Sequence, residues 1–119
     1  MSIVDPLLLT AARIESFAGD QPLTNASGFF FERDERLFLV TSRHVVVDEP
    51  SGHFPDRLEI ELHVDPGNLA SSTRLPVPLY HERQSVWRQG RDATGEIDVA
   101  VIALDSHGFP ETAVYRAFT

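Results

Sequence analysis

Residues 58–64 read LEIELHV with a strict period of two: Leu58, Ile60, Leu62 and Val64 fall on one face, Glu59, Glu61 and His63 on the other. Only an extended chain puts every second side chain on the same side, so the stretch predicts a half-buried strand. The same reading extends along the chain. Residues 10–17 (TAARIESF) alternate more loosely, and residues 20–25 (DQPLTN) carry turn chemistry. Residues 28–31 (GFFF) and 37–41 (LFLVT) are rich in aromatic and aliphatic side chains. The intervening ERDER, residues 32–36, predicts a charged hairpin bend and an antiparallel pair. In residues 74–79 (RLPVPL), Pro76 and Pro78 share one face, and Leu75, Val77 and Leu79 share the other. Proline has no N–H for a ladder, which places this strand at a sheet edge. Residues 97–104 (IDVAVIAL) form a nearly continuous apolar run, as an interior strand would. A helical turn is expected only within residues 45–49 or 84–89.

These six strand candidates, with no helix of ordinary length, predict an all-β domain. Closure into a six-stranded antiparallel β-barrel would remove the exposed edges of such a sheet. At 119 residues, 42% of them hydrophobic, the chain has material for one core and one domain. The barrel is expected over residues 1–105, and residues 106–119 read as a connecting tail with a few stray aromatics.

A net charge of −8, with ten basic residues and no Lys/Arg cluster, disfavours a polyphosphate partner such as nucleic acid. The absence of cysteine removes disulfides, thiolate zinc sites and a cysteine nucleophile together. The N-terminal apolar run, Leu7 to Leu9, is too short for a signal-peptide core or a membrane span, so a cytoplasmic location is expected. Glu59, Glu61 and His63 share a face, but same-face neighbours on a strand stand ~6.6 Å apart, and a solvated surface is the simpler reading than a metal site. No cofactor is expected. Trp87 among Arg83, Arg88 and Arg91 reads as a plug at one barrel end rather than as a stacking platform.

Two residues carry chemistry. His44 follows the apolar run LFLVTS, where a strand gives way to a loop that a rigid scaffold can aim into a cleft. Asp98 stands at the mouth of VAVIAL, where a carboxylate needs a donor. An imidazole N–H is such a donor, and a carboxylate that fixes the tautomer frees the other ring nitrogen to take a proton. Ser106 is no nucleophile for this pair. It lies eight residues beyond Asp98, roughly 26 Å along an extended strand, against the ~3 Å a triad requires.

The segments SGFF (27–30), LVTSRHVV (39–46) and DVAV (98–101), in this order, resemble the trypsin/chymotrypsin-like serine peptidases. In that family a Gly-containing strand precedes a Leu-Thr-Ala-Ala-His segment, and an Asp-Ile-Ala-Leu strand start follows within the same six-stranded barrel. The resemblance covers the chain as the first of the family's two barrels. It implies that His44 is the general base and Asp98 its orienting carboxylate. It also implies that the serine, the oxyanion hole and the specificity pocket come from a second barrel outside these 119 residues. The chain departs from the pattern at Ser42-Arg43, where two small residues are usual, and at Val45, where cysteine is common. No Gly-x-Ser-x-Gly occurs, so the chain alone should be inactive, while the full-length protein would hydrolyse a protein or peptide substrate. Phe29, Phe30 and Phe31 in a row must place at least one aromatic outward, on a face suited to the second barrel or to self-association. The rival reading is a non-catalytic, peptidase-like interaction module.

Overall fold

The computed structural model describes residues 11–64, 72–93, 95–109, 113, 115, 117 and 118. Strands β1 (Ala11–Ala18), β2 (Gln21–Arg33), β3 (Arg36–Thr41), β4 (Arg57–His63) and β5 (Ser72–Pro78) come first. A small hairpin of β6 (Tyr80–His81) and β7 (Gln84–Ser85) follows, then β8 (Trp87–Asp92), β9 (Gly95–Leu104) and the short β10 (Ala117–Phe118). The main sheet runs β5-β4-β1-β2-β3-β9-β8, with β10 added to β2. All its ladders are antiparallel except β10 on β2.

The strict alternation of β4 is realised residue by residue: Leu58, Ile60 and Leu62 are buried, and Glu59, Glu61 and His63 lie toward solvent. In β1 the looser alternation has a cause. The register with β2 shifts between Ser16 and Phe17, which turns both inward in succession. Ser16, buried and polar, meets Thr24 Oγ1 at 2.8 Å, so its hydroxyl is satisfied. Leu58, Ile60 and Leu62 fill the core with Phe30, Leu39, Leu79 and Ile102, each contributing about 1.5–3 kcal/mol by burial.

Several expectations need correction. Residues 20–25 do not form a turn. Only Gly19 and Asp20 turn, and β2 begins at Gln21, its exposed first half held by pairing with β1. The bend between β2 and β3 is likewise just two residues, Asp34 and Glu35, both at positive φ (53° and 64°), which is the geometry a tight twisted hairpin asks for. Residues 84–89 hold strand rather than a helical turn, because Trp87 to Gln89 pair with Ile102 to Ala100 on β9.

The barrel does not close. Among the described residues no ladder joins β5 to β8, the two ends of the sheet. Leu79 N–H donates to Asp56 O, on the β4 side, at 2.9 Å. Backbone N–H groups alternate sides along a strand, so positions 76 and 78 face the free edge, and there proline offers none. The edge assignment for this strand therefore holds, and it explains the open seam.

The stretch beyond β9 begins with a 3₁₀ turn at Ser106–Gly108 and then packs back on the sheet. Phe109 and Tyr115 form an aromatic cluster with buried Phe30, at centroid distances of 6.3 and 5.2 Å, and Phe118 meets Phe29 edge-on at 5.4 Å. Trp87 is half-buried against the core, its indole N–H enclosed with no hydrogen-bond partner among the described residues. No helix among the described residues is long and apolar enough to cross a membrane.

Candidate functional site

His44 is carried by a single helical turn, α1 (Arg43–Val46), that follows β3 directly. Val45 and Val46 anchor the turn by burial, at 5% and 0% exposure. The run of three β-branched valines opposes helix propagation, and Val47 is already extended. What launches the turn is the row Gly28–Thr41–Ala100, where β3 last pairs with both neighbours. Thr41 is buried there, and its hydroxyl donates to Ser27 O at 3.0 Å, tying the end of β3 to β2.

Asp98 reaches α1 from β9. Its Oδ2 lies 2.8 Å from His44 Nδ1, and its Oδ1 accepts the backbone N–H of His44 at 3.1 Å. A carboxylate only accepts, so Nδ1 carries the proton and Nε2 of the neutral ring keeps its lone pair. Asp98 therefore does two things. It fixes the imidazole tautomer, and it caps a helical turn whose own N-cap, Ser42, makes no side-chain capping bond. Sequence reasoning brought the two residues together but did not foresee the second bond, because a cap supplied from a distant strand leaves no local pattern.

The hydrogen bond from the His44 ring, above all, holds the Asp98 carboxyl below the ordinary carboxylate range. Partial desolvation opposes this, and the backbone N–H groups of His44 and Arg43 add to the lowering. The pair itself is open to solvent, with side chains 62% and 59% exposed, so its net stabilisation belongs with surface pairs, about 0–1 kcal/mol. A depressed folded-state pKa means that the bond stabilises fully above the unfolded value of about 3.9 and is lost as pH falls through the lower folded value. In urea titrations between pH 5 and pH 2, the gap in midpoint between the wild type and Asp98→Asn should accordingly close below about pH 4. A gap that stayed constant to pH 2 would contradict the assignment.

Ser106 stands in the 3₁₀ turn beyond the far end of β9, away from the strand's Asp98 end. Glu59 is engaged by Arg57 at 3.1 Å and Arg74 at 3.5 Å across the outer face of β4. No group of three or more His, Asp or Glu among the described residues is placed to hold a metal ion. Arg43 is half-buried, its Nε enclosed and without a hydrogen-bond partner among the described residues.

Over β2, β3, β9 and β10 the outer side of the sheet is largely apolar, with Arg33 among the groove's lining residues. Phe29 and Phe31 of β2, Phe38 and Val40 of β3, Val101 of β9 and Phe118 of β10 line one open groove. Phe29 and Phe118 are 38% and 49% exposed. No protein-family model matches the chain, and neither a curated protein nor a solved structure does.

Proposed function

We propose that this chain is the His–Asp half of a serine peptidase of the trypsin-like kind, in which His44 is the general base and acid and Asp98 orients it. The observation that carries the reading is the two-point grip of Asp98 on His44, on Nδ1 at 2.8 Å and on the backbone N–H at 3.1 Å. It leaves Nε2 with no hydrogen-bond partner among the described residues. A tautomer fixed in this way suits proton abstraction from a hydroxyl nucleophile, and the same nitrogen returns the proton to the leaving amine. The nucleophile and its oxyanion donors would come from a second barrel. In this reading the open sheet stands where the family has its first barrel, and residues 106–119 lead to the second.

The test is labelling of the native, full-length protein with a fluorophosphonate, which phosphonylates an activated serine, with the labelled residue mapped. Labelling that His44→Ala abolishes is the expected result. A full-length protein that takes no label removes the reading and leaves the rival one, a peptidase-like interaction module without chemistry.

The second barrel would cover the outer groove of Phe29, Phe31, Phe38, Val40, Val101 and Phe118. An apolar face of this kind, left uncovered in the 119-residue chain, drives self-association. Sedimentation should show the 13.3 kDa chain moving toward dimer with rising concentration, and Phe29→Glu should return it to monomer. A wild-type chain that stays monomeric at every concentration would contradict this use of the face.

A further inference from the structure

We propose that Gln89 is a positioning residue for the His44–Asp98 pair, acting through a bulge in β9. The ladder between β8 and β9 pairs Gln89 with Ala100 and Arg91 with Glu96. Between these two rungs β8 has one residue, Gly90, and β9 has three: Ile97, Asp98 and Val99. Asp98 is the middle of the three, at the apex of the surplus. A bulge of this kind bends its strand, leaves backbone groups outside the regular ladder and re-aims a side chain. Here the re-aimed side chain is the carboxylate that meets α1.

Two features of β8 make the bulge possible. Gly90 gives it room. A Cβ at that position would lie 2.9 Å from Ile97 Cγ1 and 3.3 Å from Val99 Cβ, so any side chain there would press on both shoulders of the bulge. Gln89 then holds it, since its Nε2 donates to Ile97 O at 3.2 Å. That carbonyl belongs to the planar peptide unit joining Ile97 to Asp98. Fixing the plane fixes the backbone from which the Asp98 Cα–Cβ bond departs, and hence the direction of the carboxylate. Gln89 thus acts on His44 through one peptide plane and one side chain without touching the ring. Its importance to catalysis rests on the reading proposed above, whereas its effect on the pair does not.

The experiment uses Gln89→Met, which keeps the length of the side chain and removes the donor, and Gln89→Arg, which restores an N–H at similar reach. Carbon-detected NMR follows the Asp98 carboxyl through its titration, and hydrogen exchange follows the His44 amide that donates to Oδ1. In Gln89→Met the Asp98 midpoint should move up toward the ordinary carboxylate value, and His44 amide exchange should quicken about tenfold, the order expected for one hydrogen bond. The Leu58, Ile60 and Leu62 amides of β4 should keep their protection, and Gln89→Arg should restore both signals. If Gln89→Met leaves the Asp98 midpoint and His44 exchange unchanged, the positioning role is wrong. Loss of protection in β4 along with His44 would equally overturn it, by showing a general structural role. Either negative result leaves the peptidase reading standing, because that reading fails on a separate observation, the absence of a labelled serine.

Discussion

Asp98→Asn should lower kcat of the full-length protein by about four orders of magnitude, the loss associated with a wrong histidine tautomer in a Ser-His-Asp site. Asparagine is nearly isosteric, and its Oδ1 can go on accepting the His44 backbone N–H, so α1 keeps its cap. Its amide NH₂ then faces Nδ1, where the carboxylate oxygen stood at 2.8 Å. Nδ1 must now accept, which moves the ring proton to Nε2 and removes the lone pair that would take the proton of a nucleophile. The expected signature is a fall in kcat with KM little changed and thermal stability close to wild type. Steady-state kinetics on a peptide ester, beside a melting curve, measure both. A variant that kept even a tenth of wild-type kcat would show that the pair is a cap and nothing more.

Gly28→Ala should be the most damaging single methyl in the sheet, costing about 3 kcal/mol and lowering Tm by about 10 °C. A Cβ on Gly28 would stand 2.5 Å from Val40 O, 3.0 Å from Ile14 Cδ1 and 3.3 Å from Leu39 Cδ1. The nearest obstacle is a backbone carbonyl, which cannot swing aside as a side chain can. Relief requires β2 and β3 to separate where Gly28 pairs with Thr41, three residues before His44. The damage should therefore spread from stability to the site, seen as weakened protection of the His44 amide in hydrogen exchange. A melting temperature within 2–3 °C of wild type, a change of well under 1 kcal/mol, would mean that the strands part there without strain.

Strands with one face in the core were legible in the sequence, since a period of two follows from the pleat itself. Residues 58–64 and 74–79 show it most clearly, although β4 and β5 end one residue earlier, at His63 and Pro78, and each of the six candidate segments overlaps one strand. β8 was not legible. In WRQGRD the apolar alternation is interrupted by Gly90 and flanked by arginines, because the strand is short and its register slips where Asp98 needs room. The first half of β2 was missed for a related reason: it pairs with β1 but buries little, so its polar residues look like a turn. Barrel closure was expected on the general ground that sheets hide their edges, yet Pro76 and Pro78 protect this edge by having no N–H to offer.

The candidate site divides in the same way. His44 and Asp98 were recognisable because each is a polar group at the end of an apolar strand, and a carboxylate in that position calls for a donor. The parts that aim them, Thr41 on Ser27 O and Gln89 on Ile97 O, are ordinary polar residues whose partners are fixed only by register. Phe109, Tyr115 and Phe118 read as stray aromatics because the surface they cover, β2, lies some eighty residues earlier in the chain.

Whether a serine elsewhere on the chain serves His44 is decided by the intact mass of the native protein from its source cells, with peptide mapping past Thr119. The expected product lies well above 13.3 kDa and contains a Gly-x-Ser-x-Gly peptide to serve His44. A native product of 13.3 kDa would leave His44 and Asp98 without a nucleophile on their own chain and contradict the peptidase reading.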